Sequence, residues 1–117
     1  MFARIVDFVI TPGKTRSLNE IIQGRLFPIL SVPPGFVDEI VLESDVEPSR
    51  VVTLSFWETR EQAERYNQET YPTVKEVLGA FLELDPVVRA FNVMNCTTPS
   101  ITGQHSIARP AIPLGER

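Results

Sequence analysis

An α+β fold with the element order β-α-β-β-α-β is what this sequence predicts, and three observations predict it. Between Arg50 and Pro72 an apolar, β-branched run from Val51 to Phe56 closes on Trp57. It passes at once into a helix that opens at Thr59, with Gln62 three residues on completing a capping box. Ahead of that unit stand one strand-helix pair and one extra strand; after it comes a single strand. At 117 residues the chain makes one domain, able to bury roughly 65% of its unfolded surface in a single core.

The first strand, residues 2–10, places Phe2, Val6 and Phe8 on one face and Ala3, Ile5 and Val9 on the other. Both faces are mainly apolar, and helices can cover only one face of a four-stranded sheet in so short a chain. The other needs a ligand, the tail or a second subunit. Thr11-Pro12-Gly13 breaks the strand, and Ser17 with Glu20 reads as the capping box of the next helix. Leu18, Ile21, Ile22, Leu26, Ile29 and Leu30 form its apolar stripe, which Pro28 should bend or end near Leu26.

Pro33-Pro34-Gly35 turns into a second strand, Phe36 to Glu43, whose charges at Asp38, Glu39 and Glu43 suit an edge exposed to water. In the third strand, Arg50 to Trp57, the more apolar set Val52, Leu54 and Phe56 is assigned to the helix-facing core. Thr53, Ser55 and Trp57 are assigned to the opposite face. A second helix runs from about Arg60 to Glu69, is interrupted at Tyr71-Pro72, and restarts through Val74, Val77, Leu78 and Phe81. Val87 to Cys96 is the fourth strand. The folded unit is residues 1–96; residues 97–117 form a proline-rich tail, with Ile101, Ile107, Ile112 and Leu114 as points by which it can lie against the body or a partner.

Composition excludes several function classes. A formal charge of −4 without basic clusters offers nothing to nucleic acid or anionic lipid. No apolar run is long enough to cross a bilayer, no signal peptide opens the chain, and Cys96 is alone, which together point to a reducing cytoplasm. With one histidine, His105, in the tail and one cysteine, no zinc or iron cluster can be built within a chain, and no nucleotide or flavin fingerprint occurs. The expectation is therefore that neither metal nor cofactor is used.

What remains are strand residues. Trp57, with Ser55 and Thr53 beside it, either lines an apolar cleft with a few polar points or packs against a partner sheet. Arg89 pairs with a substrate anion or with a carboxylate such as Glu43. Asn92, flanked by Phe91 and Val93, requires hydrogen-bond partners from backbone or ligand. Tyr71 marks the helix break, and Tyr66 falls on the core stripe with Ala63.

Thr11-Pro12-Gly13-Lys14 after the first strand, Pro34-Gly35-Phe36 opening the second, and Phe56-Trp57-Glu58-Thr59 before the helix of Ala63 together resemble the antibiotic biosynthesis monooxygenase domain, over about residues 2–95. The resemblance implies a ferredoxin-like βαββαβ unit with a four-stranded antiparallel sheet in the order 4-1-3-2. Two such sheets pair face to face into a dimeric α+β barrel, hence a homodimer. It implies, for some members, cofactor-independent oxidation of quinols or aromatic polyketides by O2. Others degrade haem with a histidine on the second helix, an asparagine and a tryptophan. Here Trp57 is present, but the span Arg60 to Phe81 holds no histidine and the first strand no asparagine.

On the oxygenase reading a quinol or phenolic substrate meets Trp57 as an aromatic wall and Asn92 as a hydrogen bond to its oxygen. Arg89 supplies a charge for the phenolate, Ser55 a polar point, and Tyr71 a guide at the mouth; the base stays unassigned. The alternative is a non-catalytic barrel that binds a small molecule or serves only as an assembly module. An enclosed pocket with unpaired polar groups beside Trp57 would favour the first, and a space filled by side chains the second.

Overall fold

The structure of the chain, a computed structural model, describes residues 1–97. Its elements are β1 (Phe2–Val9), α1 (Thr15–Ile21), a π-helical turn (Ile22–Leu26), α2 (Phe27–Leu30), β2 (Phe36–Glu43), β3 (Arg50–Trp57), α3 (Arg60–Glu69), α4 (Tyr71–Gly79) and β4 (Val87–Asn92). The sheet runs β2-β3-β1-β4 with every neighbouring pair antiparallel. This is the ferredoxin-like α+β arrangement, in the 4-1-3-2 order that the resemblance implies. The expectations for the tail, including His105 and its spaced isoleucines, lie outside the described residues.

Local chemistry explains most element boundaries. The Thr59 hydroxyl accepts from the Gln62 N–H at 3.2 Å and caps α3. Gln62 does not complete the box: its side chain lies against Gly35, at φ +87°, where any Cβ would collide with it. Thr70 breaks α3 from α4, and Pro72 occupies the first turn of α4, where its missing N–H costs nothing. The helical segment after β1 opens at Thr15 without a side-chain cap, so Ser17 and Glu20 lie inside the helix and form no capping box.

Pro28 acts on the turn that precedes its ring, as expected, but there the helix widens and then continues to Leu30. Pro28 has no N–H for the Gly24 carbonyl, and the ladder relaxes into the π turn, where the Phe27 N–H reaches Ile22 O. Leu18, Ile22, Leu26 and Leu30 are all buried, so one stripe persists through the irregularity. β4 ends at Asn92, four residues before the expected Cys96, and β1 ends at Val9, with Ile10 making an isolated bridge to Leu82.

The strand faces correct the sequence reading. Phe2 stands opposite Trp57 and Phe8 opposite Val51, and directly opposed residues share a face. Phe2, Val6, Phe8, Val51, Ser55 and Trp57 are buried under the helices, so Trp57 and Ser55 lie on the covered face and Val52, Leu54 and Phe56 on the open one. The assignment was inverted because apolar content ranks Val52, Leu54 and Phe56 above Thr53 and Ser55. Apolar content names the core only when a single face is buried.

Candidate functional site

Arg4 is the one charged side chain of β1 that turns under the helices, alternating with Phe2, Val6 and Phe8. Only 4% of it is exposed. Its Nη2 donates to Asn67 Oδ1 at 2.6 Å, and its guanidinium carbon lies 4.1 Å from the Tyr71 ring centroid and 5.2 Å from that of Tyr66. Two aromatic faces and one amide replace the water that this cation loses. Among the described residues no carboxylate comes within ion-pair distance of it. Burial accordingly lowers its pKa from the ordinary arginine value.

Arg4 borders a cleft between the sheet and the helices whose floor also includes Glu39, Thr53 and Ser55. Leu26, Phe27 and the α4 residues Tyr71, Val74 and Leu78 complete the enclosure. Its free volume is about 30 Å³, room for a water or two. The polar atoms are incompletely paired: Glu39 Oε2 is buried without a hydrogen-bond partner. Such atoms are rare in folded proteins, and one that borders a cleft is free to bond a polar group that enters it.

Glu39 reaches this cleft because β2 carries a register shift between Phe36 and Asp38, after which Glu39 sits opposite Ser55 on the covered face. Burial raises its pKa from 4.5 to about 7, against the pull of Arg4 and with a smaller push from Asp38. Burial likewise raises the Tyr66 and Tyr71 phenols, with the Arg4 charge opposing it in each. Trp57 lies behind the floor, fully buried, with its Nε1 donating to Ser55 Oγ at 3.0 Å and Ser55 Oγ 3.5 Å from Arg4 O. Its ring packs on Tyr66 at 4.8 Å and edge-on to Phe36 at 5.6 Å. Trp57 therefore packs against neither a partner sheet nor the cleft directly; it fixes the Ser55 rotamer.

Of the residues singled out in the sequence, Ser55 and Tyr71 come together at the cleft, with Trp57 one layer behind. Arg89 and Asn92 do not join them. β4 is exposed throughout; Arg89 is opposite Ile5 on the open face, 3.8 Å from Asp7, and Asn92 is opposite Phe2 at the strand's end. Arg4 and Glu39 were missed as site residues. A signal for Arg4 was present, a charge in phase with Phe2, Val6 and Phe8, whereas Glu39 read as an ordinary edge-strand charge because the bulge that turns it inward has no sequence signature. Among the described residues no His, Cys, Asp and Glu side chains group as a metal site, and no helix is long and apolar enough to cross a membrane.

The family model for antibiotic biosynthesis monooxygenase matches residues 1–77. No curated protein matches the chain in sequence. Solved structures share its fold at low identity. A Streptomyces coelicolor monooxygenase in complex with the ligand nanaomycin D is 19% identical, covering 84% of this chain and 91% of its own, with a TM-score of 0.69. A cofactor-independent oxygenase from Streptomyces nogalater is 14% identical over 82% and 95%, with a TM-score of 0.66. A Nitrosomonas europaea protein of unknown function is 15% identical over 84% and 93%, with a TM-score of 0.68.

Proposed function

The chain belongs to the antibiotic biosynthesis monooxygenase family, and from that footing we propose that it is a cofactor-independent monooxygenase of a quinol or phenolic small molecule, acting in the cleft between sheet and helices. The observation that carries this reading is the buried Arg4 guanidinium at the wall of the cleft, without a carboxylate in ion-pair distance among the described residues. A cation held this way favours an oxygen that becomes negative, and it is worth most where water is excluded.

The chemistry asks little else of the protein. An electron-rich phenolate passes an electron to O2 directly, and the two radicals join at a ring carbon bearing hydrogen. Loss of water then leaves a quinone. One oxygen atom enters the ring and the other leaves in water, the substrate supplying both hydrogens and all the electrons, so no external reductant is consumed. The chain's part is to bind the ring, hold the anion and keep water out. Tyr71 and Tyr66 present aromatic surface beside Arg4, and Ser55, held by Trp57, offers a fixed hydroxyl.

A ring is larger than the free volume, so its entry displaces part of the wall. The wall nearest solvent is the π turn and Phe27, which is 37% exposed. π turns concentrate at functional sites, and this one lacks a complete α ladder to resist movement. The S. coelicolor and S. nogalater oxygenases share the fold and support the reaction class. The open sheet face is proposed to meet a second copy, since Ile40, Leu42, Val87 and Phe91 stand exposed on it beside Ile5 and Leu54.

The test is oxygen uptake with a soluble naphthol, above the autoxidation blank and in the presence of a chelator. With labelled O2, one labelled atom should appear in the quinone and one in water. Uptake that stops on adding the chelator, or hydrogen peroxide as the reduced product, would contradict the reading.

A further inference from the structure

We propose that Glu39 is the proton acceptor of this cleft, and that Arg4 and Glu39 together make it a site for one negative charge, carried either by the Glu39 carboxylate or by an anionic ligand but not by both. The proposal rests on the monooxygenase reading for its catalytic half and on the geometry alone for its binding half.

The geometry begins with Arg4, a buried cation that lines the same cleft as Glu39. Glu39 Oε2 is buried, unpaired and on the covered face, while neither carboxylate oxygen is within ion-pair distance of Arg4. The two charges thus share one enclosed volume without neutralising each other by contact. The groups that face Glu39 are Arg4 from β1, Tyr66 from α3 and Tyr71 from α4, with Asp38 beside it on its own strand. β3 and the Ile22–Leu30 segment bring no titratable side chain to the lining. Two anions in this space would face a single cation, so one must leave or take up a proton.

Glu39 titrates at about 7, so near neutrality it is divided between the two forms. A neutral phenol entering beside ionised Glu39 brings its own proton. Its O–H bond breaks, the electron pair stays on the substrate oxygen opposite Arg4, and the proton forms a new O–H bond on the Glu39 carboxylate. The net charge of the cleft does not change. A ligand that arrives already ionised brings no proton, and Glu39 must take one from solvent.

Two opposite pH dependences follow. Formate, small enough to need little rearrangement, is the probe for the binding half, read through the fluorescence of Trp57, the chain's single tryptophan. Its affinity should be flat below about pH 7 and fall about tenfold for each unit above it, because one proton is taken up for each formate bound. In Glu39→Gln the affinity should stay flat and match the wild type's low-pH value. For the catalytic half, kcat/KM with a neutral naphthol should rise with pH to a plateau above about 7, and Glu39→Gln should lose about 10²–10⁴-fold.

An unchanged formate pH slope in Glu39→Gln, a flat slope in the wild type, or no formate binding to either protein would overturn the one-charge site. Proton-linked formate binding without any oxygen uptake would leave it standing and remove the monooxygenase reading instead. Oxygen uptake that Glu39→Gln leaves intact would remove Glu39 as the proton acceptor.

Discussion

The two faces of the sheet have exchanged the characters usually given to a covered and an uncovered surface. Under the helices lie Arg4, Glu39, Thr53 and Ser55 around a small enclosed volume, with Trp57, Tyr66 and Tyr71 as their packing. On the open side stand Ile5, Ile40, Leu42, Val52, Leu54, Phe56 and Phe91, with Asp7 held by Arg50 at 3.1 Å and Arg89 at 3.8 Å. Polar groups under cover cost several kcal/mol unless paired, and apolar groups in water forgo burial, so each face is expensive in a lone chain. The proposed chemistry would account for the first cost, and the proposed second copy of the chain would remove the other.

The comparison is broken most forcefully by charging the open face. Leu54→Asp should cost the proposed dimer about 3–5 kcal/mol, which weakens association by about two to four orders of magnitude in sedimentation. A wild-type chain that sediments as a monomer at micromolar concentration would show that the open face needs no partner. The covered face answers differently, through pH. Because Glu39 titrates higher in the fold than the usual 4.5, the folded state keeps its proton over a range where the unfolded chain has lost it. The stability tied to that proton is fully present below about 4.5 and is lost as pH rises through about 7. Glu39→Gln lacks this loss, so its advantage in denaturant midpoint should open across that window and then stay constant, at most ~3 kcal/mol.

A smaller effect sharpens the account of Trp57. Ser55→Ala leaves the buried indole N–H without its acceptor and should cost about 1–3 kcal/mol in chemical unfolding. A loss confined to a few tenths would mean that Trp57 is held by packing alone. Smallest of all is Asn92→Ala, expected within about 0.5 kcal/mol in stability and without effect on ligand binding, since Asn92 is exposed on β4. Weakened phenol binding in that variant would return Asn92 to the site.

The fold was legible because its signals are local. The Thr59 cap, the Pro72 restart and the alternating strands are each read within a few residues, and β2 and β3 run over the spans expected from sequence. The site was less legible because it depends on which face of each strand is covered, a tertiary property. Leu54 outranks Ser55 in any hydrophobic pattern, and only the register of β3 against β1 reveals that Ser55 is inside. Arg4 carried a readable signal in its phase with Phe2, Val6 and Phe8. Glu39 carried none, since a bulge between Phe36 and Asp38 decides its direction. Arg89 and Asn92 drew attention as polar residues in an apolar strand, but an exposed edge strand places few demands on its polar side chains.

The most direct test of the central claim, that the chemistry belongs to the covered face, fills the cleft without adding charge. Thr53→Phe directs a ring into the floor of a space of about 30 Å³, beside Ser55 and opposite Val41, while leaving the open face untouched. Oxygen uptake with a naphthol should be present in the wild type and fall to the autoxidation blank in Thr53→Phe, with the sedimenting mass of the two proteins the same. Full activity in a folded Thr53→Phe protein would place the reaction elsewhere and contradict the account.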